Sequence, residues 1–214
     1  MFGDANNIVS GNGYPDIKEA MRLWEDGIRR RREDDGFIHE DEYRFHTMNI
    51  AAFCRLLASK IPGLNIEKAY ICGLLHDYGK KYDERKIKRF HGLLGYLEMM
   101  DMGYPDIARI CISHTFPVRN FDFSYYPSYP QADLEFARSI LDRIRYDDYD
   151  RLVQYCDLFL EALTIMKPAD RIKNICKRYN LTNQENRYLN ENAAFLKKYF
   201  DEKCAQDTFS LLGF

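Results

Sequence analysis

Residues 71–80 constrain the fold of this chain more than any other stretch. They read ICGLLHDYGK, an apolar run that ends abruptly in His76 and Asp77. Neighbouring residues on a helix point about 100° apart, so these two side chains can bind one ion only where the helix faces a cavity or frays at its end. Gly79 permits such fraying. The doublet alone also fits ordinary polar residues at the end of a helix.

Three more histidines and a second aspartate stand in similar settings. Each lies on or beside an apolar helical stripe, where an unpaired polar group is costly. With the doublet they give these candidate metal ligands: His46, His76, Asp77, His91, His114 and Asp157. Taken singly, each is more often a hydrogen-bonded core histidine or a capped aspartate. Together they use four of the five histidines in the chain, which is hard to explain by independent accidents.

The order His, His-Asp, His, His, Asp resembles the HD-domain superfamily of metal-dependent phosphohydrolases, over about residues 41 to 165. Two histidines between the doublet and the last aspartate resemble the dinuclear branches of that superfamily. Within those branches, the stretch LLHDY at residues 74–78, followed by His91-Gly92 and His114-Thr115, is most similar to bacterial symmetrical diadenosine tetraphosphate hydrolases.

The resemblance implies two divalent metal ions. Imidazole nitrogen and carboxylate oxygen suit Fe, Mn, Co, Ni or Zn, and iron is favoured. One ion would be held by His46, His76, Asp77 and Asp157. The second would be held by His91, His114 and a bridging Asp77. The implied reaction is hydrolysis of a phosphoanhydride or phosphoester bond in a nucleotide or another small phosphorylated substrate, through a metal-bridged hydroxide. Asp77 and Lys80 are then the predicted catalytic residues.

A strongly basic segment follows the doublet. Its members are Lys80, Lys81, Arg85, Lys86, Lys88 and Arg89. Such a segment is either a solvated connector or a positive lip for a phosphorylated substrate. We expect Lys80, Lys81 and the more distant Arg119 to contact substrate phosphate.

Residues 116–130 hold three prolines among several aromatic side chains, a composition that fits no regular element. This predicts a loop directly after His114. The loop could stack a nucleobase, as aromatic platforms do, or pack as a cover over the helices.

Helical spacing of apolar residues recurs along the chain. It predicts, among other helices, one over residues 147–163 and one over residues 168–179, where Pro168 suits the first helical turn. No stretch predicts a strand. The predicted class is therefore all-α, an HD-domain-like helical bundle with the metal site between helices. Residues 1–40 are expected to form a flexible segment and a helix, residues 41–165 the metal-binding core, and residues 166–214 a helical extension. That extension would pack on the core or mediate a homodimer.

The charge balance and apolar content exclude some classes of partner. A net charge of −2 argues against broad binding to nucleic acid or to an anionic membrane. No apolar stretch approaches the roughly 20 residues that span a bilayer. The first residues do not resemble a signal peptide, so we expect a cytoplasmic protein.

Two other functions stay open at this stage. The same ligand order resembles di-iron oxygenases of the inositol-oxygenase type, which also carry a lysine after the doublet. The chain could also be a non-catalytic HD module that binds metal or nucleotide.

Overall fold

The computed structural model describes residues 13–35, 40–117 and 129–214. Helices dominate these residues, which confirms the predicted all-α class. The helices are α1 Ile17–Asp35, α2 Glu40–Ala58, α3 Ile66–Leu75, α4 Glu84–Ile87, α5 His91–Asp101, α6 Pro105–Ser113, α7 Gln131–Leu141, α8 Asp148–Asp157, α9 Pro168–Tyr179, α10 Asn183–Cys204 and α11 Thr208–Leu211. A short 3-10 helix, Tyr78–Lys81, follows α3. None of the described helices is long and apolar enough to cross a bilayer.

One small β-hairpin departs from the prediction of helices alone. Strand β1, Leu160–Glu161, pairs antiparallel with β2, Thr164–Ile165. The predicted helix over residues 147–163 was therefore too long, because α8 ends at Asp157. The chain reverses at Ala162, whose φ of 49° lies in the left-handed region. The apolar residues here continue the helical spacing, so periodicity alone could not reveal this turn.

Side-chain caps fix the beginnings of two helices that matter for the site. Asn65 precedes α3 and accepts a hydrogen bond from the backbone N–H of Lys68 at 3.0 Å. Before α8, Asp147 accepts from the backbone N–H of Asp150 at 3.2 Å, while the Asp150 carboxylate accepts from the N–H of Asp147 at 2.8 Å. These caps satisfy donors that a helix start otherwise leaves unpaired. They set where the helices carrying the His76–Asp77 doublet and Asp157 begin.

The main hydrophobic core joins α2, α3 and α8 with the C-terminal helices. Ile50, Leu74 and Leu152 are fully buried in it. Phe200 of α10 belongs to the same core, and its ring stacks on that of Tyr155 with centroids 5.5 Å apart. Residues 166–214 thus bury apolar side chains against the bundle, which stabilises it at about 25 cal/mol per Å² of apolar area. The division into three segments stays a prediction.

A second, smaller apolar cluster lies among α5, α6 and α7. Gly92 brings α5 close to α6, since a Cβ at this position would lie 2.9 Å from the Cys111 carbonyl oxygen and 2.4 Å from Thr115 Oγ1. The absence of a side chain at Gly92 therefore permits the two helices to pack closely. This packing places the first turn of α5 beside the end of α6.

Candidate metal centre

The six candidate ligands converge between five helices. His46 lies on α2, while His76 and Asp77 follow the end of α3. His91 is the first residue of α5, His114 follows α6, and Asp157 is the last residue of α8. Residues spread over more than a hundred positions thereby meet at one place in the bundle. Their role as ligands stays a prediction.

Asp77 lies at the centre of this cluster, and its two oxygens face different histidine pairs. Oδ2 is 3.4 Å from Nε2 of both His46 and His76. Oδ1 is 3.4 Å from Nε2 of His91 and 3.2 Å from Nε2 of His114. Asp157 Oδ1 completes the first set, at 3.0 Å from His46 Nε2. Two groups of donors therefore share one carboxylate.

The backbone changes conformation within the doublet, so that adjacent residues can both face the cluster. His76 is still helical, whereas Asp77 has φ −97° and ψ 19° and immediately precedes the 3-10 helix. The sequence suggested that Gly79 lets the end of the helix fray, but the structure gives this glycine a different role. A Cβ there would lie 2.0 Å from the carbonyl oxygen of His91 and 2.7 Å from the N–H nitrogen of Gly95. Gly79 is therefore required because the 3-10 helix touches the backbone of α5.

Hydrogen bonds from Nδ1 to backbone carbonyl groups orient the imidazoles of His76 and His114. His76 Nδ1 lies 2.7 Å from the Gly73 carbonyl oxygen, and His114 Nδ1 lies 3.2 Å from that of Ile110. Because a carbonyl oxygen can only accept, each Nδ1 must carry the proton. In the neutral rings Nε2 then presents a lone pair to the cluster. This is the tautomer that a metal ligand needs.

His91 is oriented by a side chain that sequence reasoning missed. Its Nδ1 donates to Glu84 Oε1 at 2.9 Å, and Tyr129 Oη donates to Glu84 Oε2 at 2.7 Å. Burial alone would raise the pKa of Glu84, but His91 and these hydrogen bonds lower it to about 2. Glu84 is thus a carboxylate that holds His91 in place. The one feature of the sequence that could have indicated this role is that Glu84 is an acidic residue within the basic segment, seven positions before His91.

The charges in the cluster favour ionised carboxylates. Burial would raise the pKa of Asp77, but the Lys80 ammonium and His76 hold it well below its usual range. For Asp157, hydrogen bonding to His46 likewise outweighs burial and lowers the pKa. Burial lowers the pKa of His46, while the same two carboxylates raise it, and the net effect is an increase. The carboxylates are therefore ready to bind a cation.

The spacing of the donors is that of ligands to a divalent metal ion. His46 Nε2 and His76 Nε2 are 3.1 Å apart, and His91 Nε2 and His114 Nε2 are 3.2 Å apart. Two nitrogen ligands about 2.1 Å from one ion lie about 3.0–3.4 Å apart. Among the described residues the buried Asp77 Oδ1 has no hydrogen-bond partner, and an unsatisfied buried acceptor costs about 1–3 kcal/mol. A cation beside Oδ1 would remove that cost.

A sequence model of the HD domain matches residues 43–162, which include all six candidates. The chain belongs to the HD domain family. No curated protein and no solved structure matches it. HD domains bind divalent metals and are generally metal-dependent phosphohydrolases, and the two groups of donors around Asp77 could hold such ions. The finer resemblance, to the dinuclear branches and the diadenosine tetraphosphate hydrolases, stays a prediction.

Lys80 lies at the open edge of the HD-domain cluster. Its Nζ is 2.6 Å from Asp77 Oδ2, and its side chain is 36% exposed, whereas that of Asp77 is 1% exposed. Burial lowers the pKa of Lys80, but Asp77 outweighs burial and raises it, so the ammonium stays charged. Arg31 of α1 donates from Nη1 to the Lys80 carbonyl oxygen. Arg31 therefore helps to position the 3-10 helix beside α1.

Lys81 does not have the position expected of a substrate contact. It is 1% exposed, its Nζ pairs with Glu98 of α5, and the ammonium lies 3.9 Å from the centroid of the Tyr78 ring. Successive side chains of a 3-10 helix point about 120° apart. The Lys81 side chain therefore does not face the cluster as that of Lys80 does, but lies in the packing between α1 and α5. The prediction that Lys81 contacts substrate is therefore wrong.

Two further cations of the basic segment lie beside acidic residues. Arg89 forms an ion pair with Asp133 at 2.7 Å, and Lys86 lies 3.8 Å from Asp83. Among the described side chains, Lys80 is the one cation of this segment in contact with the cluster, and the role of the segment as a positive lip stays a prediction. Arg119 and most of the aromatic loop lie outside the described residues.

Proposed function

We propose that this HD-domain protein is a metal-dependent phosphohydrolase that acts on a phosphoanhydride or phosphoester bond of a nucleotide or other small phosphorylated substrate. The observation that supports this best is the position of Asp77, with one oxygen toward His46 and His76 and the other toward His91 and His114. Such a shared carboxylate suits two neighbouring cations, and a pair of cations suits phosphoryl transfer.

The six candidate ligands would form two sets that share Asp77. His46, His76, Asp77 and Asp157 would hold one ion, and His91, His114 and Asp77 the other. Two divalent ions, with iron favoured, would supply Lewis acidity toward water and phosphoryl oxygens. Asp77 would fix the spacing of the two sets, because its carboxylate belongs to both.

Lys80 would bind the phosphoryl group of the substrate. Its ammonium is charged, partly exposed and adjacent to Asp77. A compact ammonium is a point charge that can neutralise a non-bridging phosphate oxygen. The side chain of Asp157 is 26% exposed, so the cluster is accessible from the side of α8. Substrate phosphate could approach there and contact Lys80.

The test is a phosphate-release screen of nucleotides with the metal-loaded chain and with Asp77→Asn. We expect the variant to lose metal and turnover together, by more than about 100-fold, since even residues that only support a ligand cost 10- to 100-fold. Asp101→Asn is the matched control, because Asp101 is an exposed aspartate at the end of α5. This control should keep both metal and activity.

Three outcomes would overturn the proposal. Oxygen consumption with reduced iron and a polyol, without phosphate release from any nucleotide, would assign the cluster to a di-iron oxygenase. Tight nucleotide binding without turnover across several metals would assign it to a binding module. Full phosphate release by metal-free Asp77→Asn would exclude the metal centre from catalysis.

A further inference from the structure

A cleft of about 480 Å³ lies between the α7–α8 connection, α8 and α10. Its lining includes Arg145, Tyr146, Arg151, Gln154 and Phe195. None of the six candidate metal ligands lines it. The volume falls within the range of about 300–1,000 Å³ typical of small-molecule sites. The cleft is therefore large enough for a ligand of its own.

Two arginines in the lining of this cleft have no ion pair of their own among the described residues. Neither Arg145 nor Arg151 forms an ion pair with a carboxylate among the described residues, whereas Arg109 and Arg171, on neighbouring elements, are paired with Asp147 and Glu161. Unpaired guanidinium groups present donors in a planar fork that matches phosphate oxygens. The cleft is thus suited to an anion.

Aromatic rings hold one of these guanidinium groups in place. Arg151 Cζ lies 5.2 Å from the ring centroid of Phe195 and 4.9 Å from that of Tyr199. Contact with ring faces leaves the N–H edges of the guanidinium available to a ligand. Phe195 lines the cleft and is 49% exposed, a high value for a large apolar ring. Its free surface can stack on a planar group.

Gln154 adds a fixed hydrogen-bond acceptor. The residue is 4% exposed, and its Nε2 donates to the Ser113 carbonyl oxygen at 2.9 Å. That bond fixes the amide, while Oε1 has no hydrogen-bond partner among the described residues. A ligand with an amino group on a planar ring would satisfy it.

We propose that this cleft is a second binding site, for a nucleoside phosphate. Arg145 and Arg151 bind the phosphate, Phe195 stacks on the base, and Gln154 Oε1 accepts a hydrogen bond from an exocyclic amino group. A simple inorganic anion would use only the arginines, and a neutral ring would use only the other two side chains. The combination of groups favours a ligand that carries both a phosphate and an aminated base.

The test is calorimetric titration of the full chain with adenosine monophosphate after chelator treatment. Removing metal prevents the nucleotide from binding through ions at the cluster. We expect one nucleotide per chain. Arg145→Gln and Arg151→Gln should each weaken binding at least tenfold, and Phe195→Ala should weaken it severalfold. Arg143→Gln is the matched control, because Arg143 is an exposed arginine just after α7 that does not line the cleft. Its Kd should stay within twofold of the parent.

Adenosine alone and inorganic phosphate alone should each bind at least tenfold more weakly than the nucleotide. Phosphate binding as tight as nucleotide binding would overturn the assignment, as would unchanged affinity in both arginine variants. Binding that appears only with metal would place the nucleotide at the cluster and equally reject the cleft. Because Phe195 is half exposed, its truncation tests the same site even where an arginine variant lowers the melting temperature. No step of this assay depends on turnover, so its outcome is independent of the proposed hydrolase activity.

Discussion

Replacing Gly79 with alanine should push the 3-10 helix away from α5. The added Cβ would lie 2.0 Å from the His91 carbonyl oxygen, whereas close carbon–oxygen contacts are about 3.3 Å. The two backbones would therefore have to separate by roughly 1 Å. The neighbouring atoms are backbone, including the Gly95 nitrogen at 2.7 Å, so no flexible side chain can move aside. We expect a loss at the upper end of the usual cost of overpacking, about 3 kcal/mol.

The separation of the two backbones should lower both the stability of the fold and the affinity for metal. For a chain of this length each kcal/mol shifts the melting temperature by about 2–4 °C, so thermal unfolding followed by circular dichroism should show a decrease of about 6–12 °C. Because Asp77 and His91 lie on the two segments that separate, metal affinity should also fall, by about 10- to 100-fold, which is the usual effect of disturbing the groups that orient a metal ligand.

Gly27→Ala is the matched control for this experiment. A Cβ at Gly27 would meet Tyr43 Oη at 3.7 Å and Lys81 Cβ at 3.9 Å, which are ordinary contacts. Since Gly27 lies inside α1, alanine should raise stability by about 0.5–1 kcal/mol. If Gly79→Ala melted within a degree of the parent and bound metal equally well, the proposed contact between the 3-10 helix and α5 would be refuted.

Three further substitutions or conditions probe the same region. Glu84→Gln should weaken metal binding at His91 about 10- to 100-fold and leave the other set intact, so that a metal titration becomes biphasic; an equal loss at both sets would contradict this. Burial lowers the pKa of His46 but its carboxylate neighbours raise it overall, so protons compete with metal as the pH falls through that raised value. Each unit decrease should weaken binding at least about tenfold, and an affinity independent of pH between 6 and 8 would contradict this reasoning. Lys81→Met should lower the free energy of unfolding by about 1–3 kcal/mol, because Glu98 loses a buried partner, while metal content measured by elemental analysis stays the same.

Local pattern was sufficient for most of the helices. Apolar spacing with Pro168 at the first position predicted α9 with the bounds that the structure has, residues 168–179. The doublet at the end of an apolar run likewise predicted that His76 and Asp77 would follow α3. These features depend on residues a few positions apart, so the sequence carries them directly.

Pairings between distant residues were not predictable in the same way. Lys81 and Glu98 are seventeen positions apart, and Arg31 reaches Lys80 across forty-nine. Whether a lysine in a basic run faces solvent or a buried carboxylate depends on how α1 and α5 pack, which periodicity does not reveal. For Gly79, sequence indicated that a glycine was needed but gave the wrong reason. The requirement arises from the close backbone of α5 rather than from the end of α3.

The surroundings of Asp77 differ between its two oxygens, and this difference bears on how many ions the centre holds. Oδ2 lies beside the Lys80 ammonium at 2.6 Å, so its charge is partly neutralised without any metal. Oδ1 is buried among His91 and His114 and lacks a hydrogen-bond partner among the described residues. An ion at the His46 set alone would leave that oxygen unsatisfied, at a cost of about 1–3 kcal/mol. We therefore expect two equivalents of metal per chain, and elemental analysis giving one equivalent would refute the dinuclear interpretation.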